Sequence, residues 1–366
     1  MTVRVGIVGC GLIGFIHSYT LRLLTSCGVV DAAVVATYDA DRGRAESFAA
    51  AHDAVVCADV DELVDRVDAV WVCTWTAAHL DVVAAAVAHE RAVFCEKPLA
   101  PTLADCEQVA ALLARVPHQV GLVLRSAPVF EALVAHVHGG AHGRALAVVF
   151  RDDQFFPTRG FYASDWRADV RRAGGGTLLE HSIHDIDVLR WLLGEPTGVR
   201  ASVAARFGHP GIDDVAAVTL TFADEAVATL TSVWHQVLSR GSSRRVEVFC
   251  ERALLWLDDD HLGPLHLEAA AGTEVLPTRP PAWVAALDAP PVLARAVAEY
   301  APPTRAFLDA RCARARPSAG PTPRWPSPRT GWWTPPTVPP AAGKHRRSQR
   351  VEGVVGLRDN NCPAAP

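Results

Sequence analysis

Apolar and polar positions follow two periods along the first third of the chain. A β-branched run ends at Val8, and the residues that follow Gly14 repeat apolar positions at helical spacing. Strands are predicted again at Ala32–Thr37, Asp68–Thr74, Arg91–Cys95 and Gln119–Leu124. Helices are predicted between them, at Arg42–Ala51, through His89, and from a threonine cap over Thr102–Leu113. Such alternation implies α/β architecture, a doubly wound parallel sheet with helices on both faces. From Arg144 the pattern changes. Longer strands are predicted at Arg144–Arg151, Val199–Phe207, Val215–Phe222, Ala226–Trp234 and, with a break, Arg244–Leu257. Val218–Phe222 alternates apolar with polar residues, as a half-exposed antiparallel strand does. The expected division is a Rossmann domain over 1–124, an α+β domain with a large, mostly antiparallel open sheet over 125–310, and an irregular tail over 311–366. The open sheet face would suit self-association.

The first strand-to-helix turn carries Gly9, Gly11 and Gly14 in G-x-G-x-x-G spacing. Gly9 serves the turn, Gly11 lets a pyrophosphate approach the backbone, and Gly14 brings the helix against its strand. The N–H groups at the helix start, at Leu12 and Ile13, would bind the phosphate charge. A nicotinamide dinucleotide is therefore expected there. Asp39, 25 residues beyond Gly14, stands where a carboxylate bonds the adenosine ribose, which favours NAD; Arg42 and Arg44 nearby could accommodate NADP instead. Asp39 also reads as the N-cap of the following helix, and both roles can coexist.

Residues just past the strand ends of such a sheet line its ligand crevice, which gathers Thr74, Trp75, His79, Glu96 and Lys97. The Lys97 ammonium could donate to a substrate oxygen while a hydride leaves the adjacent carbon; a solvated loop lysine is the plainer reading. A second chemical segment runs from Gly174 to Leu192. Its helical period puts Leu179, Ile183, Ile186, Leu189 and Leu193 on a buried stripe, and Glu180, His184 and Asp187 on a neighbouring face. A carboxylate one turn before a histidine can orient its ring and raise its basicity, as a general base requires. A solvent-facing charged stripe explains the same spacing. A metal reading of Glu180, His181 and His184 is weaker, because no remote ligand set accompanies it. Arg125, Tyr162, Asp165, Trp166, Arg167, His184 and Asp187 are candidates for contacts to a polyhydroxylated substrate.

Composition changes this picture little. The 366 residues are 50% hydrophobic and 20% charged, with a formal net charge of −5, which gives no reason to expect nucleic acid. Nine scattered cysteines never form C-x-x-C and read as reduced thiols of a cytoplasmic protein. No run is long enough to span a bilayer, and the glycine-bearing N-terminus lacks the basic leader of a signal peptide. After Ala310 the chain turns to Pro, Arg, Ser, Thr and Trp without apolar period. Re-read two bases later, Trp325–Pro340 permits an amphipathic segment that would continue Thr304–Ala310. A shifted reading frame near Ala310 is therefore expected, against the plainer reading of a proline-rich tail.

Three motifs in order, VGIVGCGLIG, then EKP at Glu96–Pro98, then GGGTLLEHSIHDIDVLRWLLG at Gly174–Gly194, resemble the Gfo/Idh/MocA oxidoreductases over about residues 3 to 310. The resemblance implies a Rossmann domain plus an α/β domain whose open sheet mediates homodimers or homotetramers. It implies a catalytic lysine at Lys97, Glu96 beside the nicotinamide ribose, and transfer of a hydride between NAD or NADP and a secondary alcohol of a sugar, cyclitol or related polyol. The relatives' usual G-G-x-L-x-D-x-G-x-H-x-x-D places its histidine at His184 and its last acid at Asp187. Glu180 replaces the aspartate and Ser182 the glycine. Trp75 stands where many relatives have proline. Some members of the fold bind the cofactor as silent regulators or subunits, which is the alternative function.

Overall fold

The computed structural model describes residues 2–160 and 163–315. In the first half, β1 (Val3–Val8), α1 (Leu12–Ser26), β2 (Ala32–Tyr38), α2 (Arg42–Ala50), β3 (Val55–Val56), α3 (Val60–Arg66), β4 (Ala69–Val72), α4 (His79–Ala88), β5 (Ala92–Cys95), α5 (Leu103–Leu113) and β6 (His118–Val120) alternate as the periodicity requires. All six strands pair in parallel in the order β3-β2-β1-β4-β5-β6. Helices cover both faces, so β4 and β5 are buried at every position. The order reverses between β1 and β4, the place where a parallel sheet opens a crevice at its strand ends.

Two local expectations are corrected here. The cap of α2 is Asp41, whose side chain accepts from the Arg44 N–H at 3.1 Å. Asp39 instead accepts from the N–H groups of Cys10 and Asp41, both at 2.8 Å, which ties β2 to the glycine turn. The last parallel strand stops at Val120, short of the expected Leu124, because Gly121 turns the chain against Glu96. A Cβ on Gly121 would lie 2.6 Å from the Glu96 Oε1.

The second half continues with α6 (Pro128–His138), β7 (Ala145–Phe155), α7 (Val170–Ala173), α8 (Thr177–Glu180) and α9 (Ile183–Leu193). There follow β8 (Pro196–Ala204), β9 (Val215–Phe222), β10 (Val227–His235), β11 (Ser243–Cys250), β12 (Ala253–Leu257), β13 (Leu265–Ala269), β14 (Gly272–Leu276), α10 (Ala282–Ala285) and α11 (Pro291–Ala315). The eight strands form one sheet in the order β14-β13-β12-β11-β7-β10-β9-β8. Only β7 and β10 run parallel; the other neighbours are antiparallel. One face carries the core, where Val148, Phe150, Leu220, Leu230, Val246 and Val248 meet Phe130, Leu133, Val188, Leu189 and Leu192 of α6 and α9.

The segment read as one helix is broken at His181–Ser182 into α8 and α9. Its burial also departs from the apolar period. Of the expected stripe only Leu189 is buried, whereas Glu180, His184, Asp185 and Asp187 all are. The acids are taken inside because each meets a cation there, as described below.

α11 returns to the first half, where Phe307 stands edge-on to Trp71 and Phe94 at 5.1 and 5.8 Å, and Phe307 and Leu308 complete that core. Arg311 reaches Asp68 at 3.5 Å. The terminal helix thus belongs with the Rossmann sheet and runs to Ala315, past the expected boundary at 310. Residues 316–366, on which most of the irregular tail and its frame reading fall, lie outside the described residues. No described helix is long and apolar enough to cross a membrane.

Candidate active site

A cleft of about 1790 Å³ lies at the carboxyl ends of β1, β2, β4 and β5 and is closed from above by β7, α8, α9 and α11. It exceeds the range of about 300–1,000 Å³ common for single small ligands, which leaves room for a dinucleotide beside a second molecule. At its floor Gly9 has φ +96°, and a Cβ there would lie 2.5 Å from the Cys73 backbone. At Gly14 a Cβ would lie 2.2 Å from the Gly9 oxygen, so α1 could not approach β1 with any other residue. Around Gly11 there is open space, and no side chain caps α1. The first-turn residues Leu12 and Ile13 line the cleft with their helix-start N–H groups. Asp39 lies at the same end, with Arg44 3.9 Å away. These residues fit a dinucleotide pyrophosphate and ribose.

Next along the cleft is Glu96, almost wholly buried. Its Oε1 lies 2.8 Å from the Nε2 of His17 on α1, and its Oε2 accepts from the Lys97 N–H at 3.2 Å. His17 is held edge-on by Phe94 and by Tyr300 of α11, each at 4.8 Å. Lys97, just past β5, donates from Nζ to the Glu180 carbonyl at 2.6 Å and to its Oε1 at 3.3 Å. The same Oε1 accepts from Arg167 Nε at 2.9 Å. Burial pushes the Glu180 carboxyl up, but Arg167 and Lys97 outweigh it and hold it at about 2.

Glu180 therefore partners Lys97 and Arg167, not His184 as the four-residue spacing implies. The break at His181–Ser182 takes the acid and the histidine off one continuous helix face. His184 lines the cleft, and its Nδ1 has no partner among the described residues. Burial first, then the charges of Lys97, Arg244 and His181, push its pKa well below the ordinary value, against the pull of Asp152. The imidazole is neutral at neutral pH.

Thr74, Trp75, Asp165, Trp166 and Arg167 also line the cleft. Trp75 packs under the Arg172 guanidinium at 5.0 Å, and Trp166 under that of Arg167 at 4.5 Å. His79 does not line it. Its ring is fully buried between the carbonyls of Pro98 (2.9 Å) and Thr74 (3.2 Å), and burial lowers its pKa, so it ties two strand ends together. Arg125 and Asp187 are likewise absent from the wall. They form a bidentate pair at 2.7 and 2.8 Å beside Trp191 and hold α9 to the segment after β6. Tyr162 lies outside the described residues. Among those described, no three His, Cys, Asp or Glu side chains converge as a metal site, so Glu180, His181 and His184 do not form one.

Sequence reasoning missed Asp152, Gln154, Arg244, Arg295, Glu299 and Tyr300, and weighed His181 only as a metal ligand. His181, Gln154 and Arg244 line the cleft on the side opposite the glycine turn, and Arg295, Glu299 and Tyr300 bring α11 to it. One signal was present: Arg151-Asp152-Asp153-Gln154 puts four consecutive polar residues near the end of a central strand that is apolar up to Phe150.

Comparison with known proteins gives this geometry a relationship. Residues 3–122 match the oxidoreductase family with an NAD-binding Rossmann fold, and residues 130–255 match the GFO/IDH/MocA C-terminal domain. The inositol 2-dehydrogenase of Rhizobium meliloti (strain 1021) is 31% identical over 294 residues, 77% of this chain and 82% of that one. The myo-inositol 2-dehydrogenase of Thermotoga maritima is 29% identical over 268 residues, 70% and 75% of the two chains. The structure of levoglucosan dehydrogenase in complex with NADH and levoglucosan superposes with a TM-score of 0.73 at 20% identity, covering 85% of this chain and 91% of that one. With both halves matched in order and the glycine turn, Lys97 and His184 on one cleft, the chain belongs to the Gfo/Idh/MocA family of NAD-binding oxidoreductases.

Proposed function

We propose that the chain oxidises a secondary alcohol of a sugar, cyclitol or related polyol, reversibly, with NAD as the hydride acceptor. The observation that carries this reading is the placing of Lys97 Nζ, fixed by the carbonyl and carboxylate of Glu180, on the same cleft as a neutral His184 and the open glycine turn. A bound dinucleotide would supply the hydride chemistry at nicotinamide C4. The protein's part is position and charge. Lys97 donates to the reacting oxygen and stabilises negative charge developing on it. His184 accepts the hydroxyl proton on Nε2, and its lowered pKa keeps that nitrogen free to do so. Glu180 holds Lys97 in place. Trp75, Trp166 and Arg167 would bound the substrate end. Asp39 favours NAD, because its carboxylate would face a 2′-phosphate.

The outer face of the eight-stranded sheet exposes Val149, Val227 and Phe249, and we take it as the contact of a homodimer or homotetramer. Light scattering at two concentrations reads that directly.

The test of the activity is NAD and NADP binding to the purified protein, followed by nicotinamide reduction across a panel of cyclitols and sugars. Turnover that disappears in Lys97→Ala and His184→Ala is the expected result. Tight NAD binding with no turnover on any member of the panel would overturn the reading in favour of an NAD-responsive regulator.

A further inference from the structure

The inner face of the eight-stranded sheet is apolar until one cross-strand row. There Arg244 of β11 pairs in register with Asp152 of β7, and Asp152 with Ser232 of β10. All three side chains are buried, Asp152 and Ser232 completely. Each grips the broken helix at the point where it breaks. Ser232 contacts the hydroxyls of Thr177 (2.7 Å) and Ser182 (2.6 Å). Asp152 accepts from the Ser182 hydroxyl at 3.1 Å, and its Oδ2 lies 2.8 Å from the His181 Nδ1. Arg244 donates to Asp185 (2.7 Å) and to the His181 Nε2 (3.2 Å). The residues before and after His184 are thus pinned to the sheet, while His184 has no partner on Nδ1.

That arrangement leaves a gap in the proposed chemistry. An imidazolium formed at His184 would face Lys97 from the turn after β5, Arg244 from β11 and His181 from the helix break. Glu180, four residues before it in sequence, is taken by Lys97 and Arg167, and Asp187, three residues after it, by Arg125. Asp185 is pushed up by burial and by Asp152, and its Oδ1 is taken by Arg244 at 2.7 Å. The carboxylate that favours a proton on His184 is Asp152, held low because Arg244 and His181 outweigh its burial.

We propose that Asp152 is the positioning residue of this site: it holds the helix break that aims His184 and supplies the negative charge that offsets a proton on it. The proposal rests on His184 as the base. Ser182, where relatives carry glycine, is the side-chain link through which Asp152 acts on the break.

The experiment is Asp152→Asn, with His184→Asn and Ser182→Ala beside it, read as kcat and KM against pH, NAD affinity, and the His184 ring titration by NMR of ¹³C-histidine-labelled protein. Without the carboxylate the imidazolium is less favoured. In Asp152→Asn the acid limb of kcat should therefore move to lower pH with the His184 titration. The plateau should fall roughly tenfold or more, since a weaker base transfers the proton more slowly, and NAD affinity should hold. A purely structural role would lower kcat without moving the limb. Unmoved limb and titration in a folded Asp152→Asn overturn the proposal. A His184→Asn enzyme that keeps wild-type turnover overturns the base reading instead, and the NMR titration then still decides whether Asp152 sets the charge at His184. Where Asp152→Asn fails to fold, Ser182→Ala decides: lowered kcat with unchanged NAD affinity supports the proposal, and wild-type kcat overturns it.

Discussion

Glu180→Gln separates the two partnerships open to this acid. The side chain is nearly inaccessible, and its carboxyl is held at about 2 against an ordinary 4.5. A depression of that size corresponds to about 3 kcal/mol of stability, at 1.36 kcal/mol per unit. Because the folded pKa is the lower one, the contribution is complete above pH 4.5 and is lost as pH falls toward 2. Urea unfolding at pH 7 should therefore show Glu180→Gln less stable by about 3 kcal/mol, with the difference closing in acid. Double-mutant cycles in the same assay assign it. Coupling of Glu180 with Lys97 or Arg167 should reach about 1–3 kcal/mol, and coupling with His184 should stay near zero. The acid limb of kcat should also keep its position. Coupling to His184 that exceeds coupling to Arg167, or a shifted acid limb, would refute the pairing derived from the broken helix.

Other expectations are checked in single measurements. Asp39→Ser removes the carboxylate beside Arg44 and should raise the NADP-to-NAD ratio of kcat/KM by about tenfold or more; an unchanged ratio would mean that another group selects the cofactor. Phe307→Ala opens a cavity against Trp71 and Phe94 and should cost about 3–5 kcal/mol, whereas a loss under 1 kcal/mol would show that α11 does not complete the first core. His79 and His184 are both held below their ordinary 6.5, burial being the first cause. The unfolded chain then takes up protons that the folded one refuses, so stability should decline as pH falls below about 6.5. Constant unfolding free energy from pH 7.5 to 5.5 would contradict that.

The first half was legible because its constraints are local. Buried parallel strands read as continuous apolar runs, and the φ of +96° at Gly9 and the approach of Gly14 to the Gly9 oxygen are set within the turn itself. Lys97 follows from the same logic, since a strand end in such a sheet is a crevice position. α11 was not legible as part of that half, because nothing near Phe307 in sequence records that Trp71 and Phe94, over 200 positions earlier, lack a cover.

The helix break shows the same limit within the site. From Thr177 to Leu193 the apolar period continues across His181–Ser182, with no proline or glycine to interrupt it. What ends α8 lies 30 and 50 positions away, in Asp152 and Ser232. Spacing of four residues implies contact only where one helix carries both. Once the backbone breaks, Glu180 is directed to Lys97 and Arg167, and His184 is left to a carboxylate on the sheet. The motif therefore identifies which side chains meet at the cleft, while tertiary contacts decide which charge each of them answers.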